Sequence, residues 1–559
     1  MRRSVGLIAV ATLVGAGLTT PGAQAAPSHP STDHRALTAE HTGPQHPGHR
    51  SKGYTPPPIR WGTCSSASLQ KAGASCGMLT VPLDYAHPHG TKIRLAVSRV
   101  LHKTSDAAAQ GVMLVNPGGP GGSGLEYSRL GPAVPEGGGD PYDWIGFDPR
   151  GVGDSVPSLT CDGDYNAPGR PAYEPEAGTK RFWLAKTAAY SHDCKTSAAA
   201  EILRHDHTTD WVADMESIRK ALGVKKINYY GFSYGTYLGQ VYATLHPDRV
   251  RRFVFDGVVD PRDVWYQANL AQNKQFDRNI DTYFDWVADN NAAYGLGTNG
   301  KAVRALYYKV LDDLTYDPDP NFGAADWADS FQSAAYYVYN WDDLAHVLVA
   351  AAHGDLGPAK AWYDDPTGPG ADNEYASYLA VSCTDAPWPS WRTQERDAYR
   401  IASFAPFLTW GNTWFNAPCN TWPAPASTPV HVDGRRVPPI LLIEETNDAA
   451  TPWPGAIEVR KRFPGARLIE GVGGTTHAGS LSGVSCTDDR IAAYLLHGTL
   501  DPRKPGNNRS DVQCPPVPPP AATPATATAA GIAPSVGSSH GDRLGSLRNL
   551  LTSTGIGGL

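Results

Sequence analysis

The stretch "NYYGFSYGTYLGQ", Asn228 to Gln240, places Ser233 between Gly231 and Gly235. The chain has 58 glycines in 559 residues, so a Gly-x-Ser-x-Gly pattern can arise by chance and decides little alone. Its flanks decide more. Residues Lys226 to Tyr230 read as a short strand, and "YGTYLGQVYATLHP" reads as a helix stopped at Pro247. A serine on a strand-to-helix turn is the setting of a nucleophile elbow. The sharp turn crowds the backbone, hence a glycine two positions away on either side. The helix N-terminus then lies at the serine, where its dipole favours developing negative charge.

The pattern around the elbow is mixed α/β. "MLTVPLDY" and "KIRLAVSRVL" alternate like antiparallel strands, and "GVMLVN" and "YDWIGFD" are short apolar runs. "DWVADMESIRKALG" spaces Trp211, Met215, Ile218 and Leu222 as one helical face and closes on Gly223. "RRFVFDG" follows the elbow helix as another strand. Strand, helix, strand, helix, strand predicts a mostly parallel sheet with helices on its faces. From residue 264 to 430 the chain turns aromatic and helical, as in "QFDRNIDTYFDWVADNNAAYG", before "PPILLIEETND" and "ARLIEGVGG" restore strand character. The expected fold is an α/β-hydrolase whose core, residues 53–263 and 431–515, is interrupted by a helical cap over 264–430.

A serine hydroxyl needs a base, and in this fold the chain order is Ser, acid, His. Asp448, in "EETNDAATP", and His477, in "GVGGTTHAGS", each follow a strand and suit groups held over the carboxyl edge of the sheet. His477 would accept the Ser233 proton and return it to the leaving group, with Asp448 orienting the imidazole. Glu444 and Glu445 are rival acids nearer the strand itself. The oxyanion needs two backbone N–H groups: one from Tyr234, the other from the glycine-dense loop "VNPGGPGGSG", Val115 to Gly124. That loop lacks the Gly-Lys-Ser/Thr ending of a phosphate loop.

Composition limits the other classes. The net charge of −7 and the lack of a Lys/Arg stripe argue against nucleic acid as a partner. Residues 1–25 read as a secretory signal: Arg2 and Arg3, an apolar run, and a cleavage site after Ala25. No other stretch is long and apolar enough to span a bilayer. Residues 26–52 read as a disordered pro-segment or linker, and 516–559 as a low-complexity tail. Eight cysteines without a C-x-x-C pair suit an exported chain with four disulfides, nearest neighbours in sequence being the simplest pairing among 105. No motif calls for a metal or another cofactor.

Together "WGTC", "CGMLTVPLDYAHP", "NPGGPGGSG", "FDPRGVGDS", "GFSYGTYLG", "FDGVVDP", "SCTDAPW" and "NDAATPW" resemble the secreted tripeptidyl aminopeptidases of filamentous actinobacteria. These are α/β-hydrolase serine exopeptidases related to proline iminopeptidases. The resemblance runs from about Trp61 to Cys514. It implies a serine exopeptidase without a metal, with Ser233, Asp448 and His477 as triad and the backbone of Gly119 and Tyr234 as oxyanion hole. The histidine loop departs from many relatives, which carry glycine immediately before the histidine where this chain has Thr476.

An exopeptidase also needs an anionic anchor for the substrate's free N-terminus. The anchor would lie about 10 Å from Ser233 for tripeptide release and about 5–6 Å for single residues, at ~3.3–3.6 Å per extended residue. Asp385, in "CTDAPW", is the sequence candidate, its competing reading being a turn aspartate. Expected substrates are peptides or proteins with free N-termini. A proline-selective aminopeptidase and a secreted carboxylesterase or lipase use the same triad and stand as alternatives.

Overall fold

The computed structural model describes residues 53–363 and 367–524. The expected signal segment, the pro-segment up to residue 52 and the tail from residue 525 lie outside the described residues.

Among the described residues ten strands form one sheet: β1 (Gly62–Thr63), β2 (Ser75–Pro82), β3 (Lys92–Val100), β4 (Val112–Asn116), β5 (Asp143–Phe147), β6 (Ile227–Phe232), β7 (Val250–Asp256), β8 (Leu441–Glu445), β9 (Arg467–Gly471) and β10 (Val512–Cys514). Their order is β1-β2-β3-β5-β4-β6-β7-β8-β9-β10. The first three strands pair antiparallel and β3 meets β5 antiparallel; from β5 to β10 every pairing is parallel. The parallel strands β4 and β6 are buried throughout because helices cover both faces, which is why they read as near-continuous apolar runs. The two-residue period sorts their side chains: Met113 and Val115 enter the core on one face, Val112 and Leu114 that on the other. The elbow helix, Tyr234–Leu245, runs directly from β6.

Between β7 and β8 the chain builds the cap, including the helices Tyr266–Asp289, Gly300–Tyr316, Ala324–Tyr336, Trp341–Ala352, Asn373–Asp385, Trp391–Ala402 and Pro406–Asn416. An earlier excursion, with the Lys180–Thr196 helix, packs against the cap. Buried Arg170 binds this excursion to the cap through Asp326 at 2.9 Å and Asp329 at 2.7 Å. Asp372 repeats the tie by accepting Tyr190 Oη at 2.8 Å and the N–H of Cys161 at 2.7 Å. Trp414 stacks with Trp183, Trp391 and Trp410 at centroid distances of 6.4, 4.8 and 5.7 Å.

The cysteines pair as nearest neighbours: Cys64–Cys76, Cys161–Cys194, Cys383–Cys419 and Cys486–Cys514. Loops of this size each gain about 3–4 kcal/mol in the chain-entropy account. The first residues of the tail are held to the fold: Val517 N–H donates to Glu445 at 2.7 Å and Thr523 N–H to Asp342 at 2.9 Å. Among the described residues no helix is long and apolar enough to cross a membrane.

Candidate active site

Ser233 sits at the end of β6 with φ 54° and ψ −126°, a conformation that L residues adopt only under constraint. The constraint is visible. Its N–H donates to the Asp256 carbonyl at 2.9 Å, and its carbonyl accepts Thr236 N–H at 2.8 Å and Thr236 Oγ1 at 2.7 Å. Gly235 is required by proximity: a Cβ there would lie 2.6 Å from the Asn116 carbonyl oxygen. The elbow helix is thus pressed against the end of β4, from which the glycine-dense loop departs.

That loop folds back over the elbow. Gly118 has φ +109°, and a Cβ on it would stand 2.8 Å from Ser233 Cβ and 3.1 Å from the Tyr234 nitrogen. Gly119 follows with φ +98°. Gly119, Ser233 and Tyr234 line one cleft. Neither the Gly119 nor the Tyr234 N–H donates a hydrogen bond among the described residues. Two uncommitted backbone donors beside a serine hydroxyl can stabilise a tetrahedral oxyanion.

The side chains of Asp448 and His477, the expected acid and base, meet each other. His477 Nδ1–H donates to Asp448 Oδ2 at 2.7 Å, and both side chains are about 1% exposed. Asp448 is fully engaged: Oδ1 accepts the N–H groups of Ala450 and Thr451, each at 2.9 Å, and Oδ2 also accepts Thr451 Oγ1 at 3.0 Å. The proton on Nδ1 leaves Nε2 as the basic nitrogen, and Nε2 is buried without a hydrogen-bond partner. Ser233 is not hydrogen-bonded to it here; such catalytic bonds often close only once substrate is bound.

Neither rival acid hydrogen-bonds to His477 among the described residues, although Glu444 Oε1 lies 3.5 Å from Thr451 Oγ1. Glu444 Oε2 accepts Val258 N–H at 2.6 Å, and burial followed by the Asp448 charge pushes its carboxyl well above the ordinary range. Glu445 accepts Thr476 N–H at 2.6 Å and is pushed up to about 8 by burial. It therefore braces the loop that carries His477.

The structure does not bring Asp385 to the cleft. Its carboxylate accepts Thr208 N–H at 2.8 Å and Thr208 Oγ1 at 2.5 Å, anchoring the start of the Thr208–Ala221 helix. Burial pushes it up to about 6. The sequence signal, an aspartate before Ala-Pro, could not separate a helix anchor from a ligand.

Two contributors escaped the sequence reading. Thr451 bridges the acid and the base, its Oγ1 also lying 3.4 Å from His477 Nδ1. The only signal was its place three residues after Asp448, where an aspartate commonly accepts local N–H groups. Tyr336, at the end of a cap helix, lines the cleft and packs its ring 5.8 Å from the imidazole; nothing local marks it. The cleft has a volume of about 150 Å³ and is also walled by Val259, Trp265 and Tyr378.

The α/β hydrolase fold family model matches residues 111–477, which spans the elbow, the cap and the histidine. A tripeptidyl aminopeptidase from Streptomyces lividans is 40% identical over 474 residues, covering 82% of this chain and 87% of that protein. The serine protease Hip1 of Mycobacterium bovis is 31% identical over 477 residues, covering 80% and 90% respectively. A carboxylesterase B of Mycobacterium tuberculosis is 32% identical over 478 residues, covering 80% and 89%. The chain belongs to the α/β-hydrolase family, alongside the Streptomyces tripeptidyl aminopeptidases, and is a serine hydrolase.

Proposed function

We propose that this serine peptidase is an exported exopeptidase that releases tripeptides from the free N-termini of peptides and proteins through an acyl-enzyme on Ser233. Ser233 Oγ attacks the scissile carbonyl while His477 Nε2 takes its proton. The oxyanion is held by the N–H groups of Gly119 and Tyr234, and Asp448 steadies the imidazolium. The C–N bond then breaks, His477 protonates the departing amine, and water enters by the reverse proton route to free the peptide acid.

The observation that carries the reading is the roofed cleft at the elbow. Its walls set the cap residues Tyr336 and Tyr378 beside Ser233 and Gly119, an arrangement that suits a short peptidyl segment. The similarity to tripeptidyl aminopeptidases supports the peptide substrate, and the four disulfides fit an extracellular enzyme. An esterase is the second reading, favoured by the relative named carboxylesterase B. A third, single-residue release with proline selectivity, keeps the same triad.

Four chromogenic substrates separate them: a free Ala-Pro-Ala tripeptide anilide, its N-acetyl form, a single amino-acid anilide and a short acyl ester. Turnover confined to the free tripeptide supports tripeptide release. Turnover of the single residue moves the reading to an aminopeptidase. Fast ester turnover with indifference to the amine replaces it with an esterase.

A further inference from the structure

The cleft wall contains two carboxylates, Asp260 and Asp263, on the turn between β7 and the Tyr266–Asp289 helix. Their states differ. Asp260 is ion-paired with Arg262, whose Nε donates to Oδ1 at 2.9 Å and to Oδ2 at 3.2 Å. The Asp263 carboxylate makes no hydrogen bond or ion pair among the described residues. It does not cap the adjoining helix either, which begins after Trp265 without a side-chain cap. Its backbone is nonetheless fixed: its N–H donates to the Asp260 carbonyl at 3.2 Å, and its carbonyl accepts Ala268 N–H at 2.9 Å.

We propose that Asp263 receives the ammonium group of the substrate's N-terminal residue, and so selects unblocked peptides; the proposal rests on the exopeptidase reading above. A half-buried carboxylate without a partner, in the same wall as Ser233, is what a desolvated ammonium requires. Burial and the Asp260 charge raise the Asp263 carboxyl from its ordinary value, with Arg262 opposing them. A bound cation would relieve that cost. Gln272, nine residues further on, lines the same cleft. Its Nε2 donates to the Ala450 carbonyl at 2.7 Å, which leaves Oε1 as a second acceptor for the ammonium. Asp385, by contrast, has both oxygens engaged by Thr208 and lies outside the cleft lining.

The test compares kcat and KM for the free and N-acetylated Ala-Pro-Ala anilide in the wild type and in Asp263→Asn, with acetyl-ester turnover monitoring the triad in each. The wild type is expected to prefer the free amine. The Asn variant is expected to lose at least tenfold of that preference, chiefly through KM on the free substrate. A wild type that prefers the free amine and an Asn variant that keeps the whole preference would overturn the role of Asp263 and leave the exopeptidase reading standing. A wild type indifferent to acetylation would overturn the exopeptidase reading and this proposal with it. If the Asn variant is unfolded by circular dichroism, Asp263→Ser carries the same expectation and the same refutation.

Discussion

The backbone carbonyl of Tyr336, at the end of a cap helix, accepts the N–H of His477 at 2.8 Å, and its ring meets the imidazole edge-on at 5.8 Å. The cap therefore lines the cleft and also holds His477, the proposed base, in place. Replacing Tyr336 by Leu keeps the backbone bond but removes the aromatic wall. We expect kcat to fall about tenfold, with a stability loss of about 1–3 kcal/mol from the changed shape. Steady-state kinetics with urea denaturation checks both. An unchanged kcat would show that the ring does not hold the base.

Ser233→Ala is expected to abolish turnover, while Ser233→Gly does so and also relieves the positive φ. Strain of this kind costs about 1–3 kcal/mol, so the Gly variant should exceed the Ala variant in stability by roughly 1 kcal/mol. Chemical denaturation of the two inactive proteins measures the difference. Near-normal turnover in either variant would remove Ser233 as nucleophile.

Gly235→Ala tests whether the elbow tolerates any side chain. Its Cβ would stand 2.6 Å from the Asn116 carbonyl oxygen, so β4 and the elbow helix must separate. The expected cost is about 1–3 kcal/mol, accompanied by a large fall in kcat as Ser233 shifts. A stable, fully active Ala variant would contradict the crowding described here.

Thr451→Val removes the hydroxyl that bridges Asp448 and His477 with little change of volume. Asp448 keeps its bond to His477, so the acid–base pair should survive. Its orientation is looser, and kcat is expected to fall about 10- to 100-fold with a smaller effect on KM. Pre-steady-state measurement of the acylation step assigns the loss to chemistry or to binding.

Asp206 makes stability depend on pH. Its Oδ1 accepts Trp211 Nε1 at 2.6 Å while Oδ2 is buried without a partner, and burial pushes the carboxyl up to about 8. The folded state then holds a proton that the unfolded chain has released, between the ordinary carboxyl range and about pH 8. This contribution is present at low pH and is lost as pH rises through that window. Asp206→Asn, neutral throughout, should flatten the fall in urea-denaturation stability between about pH 5 and pH 8. An equally steep fall in the variant would assign the dependence to other groups.

Local rules made much of this protein readable in its sequence. The apolar runs of β4 and β6, the helical spacing of Trp211 to Leu222 and the glycines around Ser233 each follow from neighbours a few residues away. Strand ends place Asp448 and His477 over one edge, because a parallel sheet gathers its carboxyl ends there. Only the tertiary structure shows which carboxylates are already engaged by neighbours. Glu444, Glu445, Asp385 and Asp263 are all acids near strand or helix ends, and composition does not separate them. Packing does: Val258, Thr476 and Thr208 occupy the first three, and only Asp263 is left open to the cleft. Tyr336 was likewise invisible, since its partner lies 141 residues away in the chain (477 minus 336) and their contact exists only once the cap has closed over the sheet. Sequence fixes which elements form because their causes are local; which side chain meets which depends on how distant elements pack.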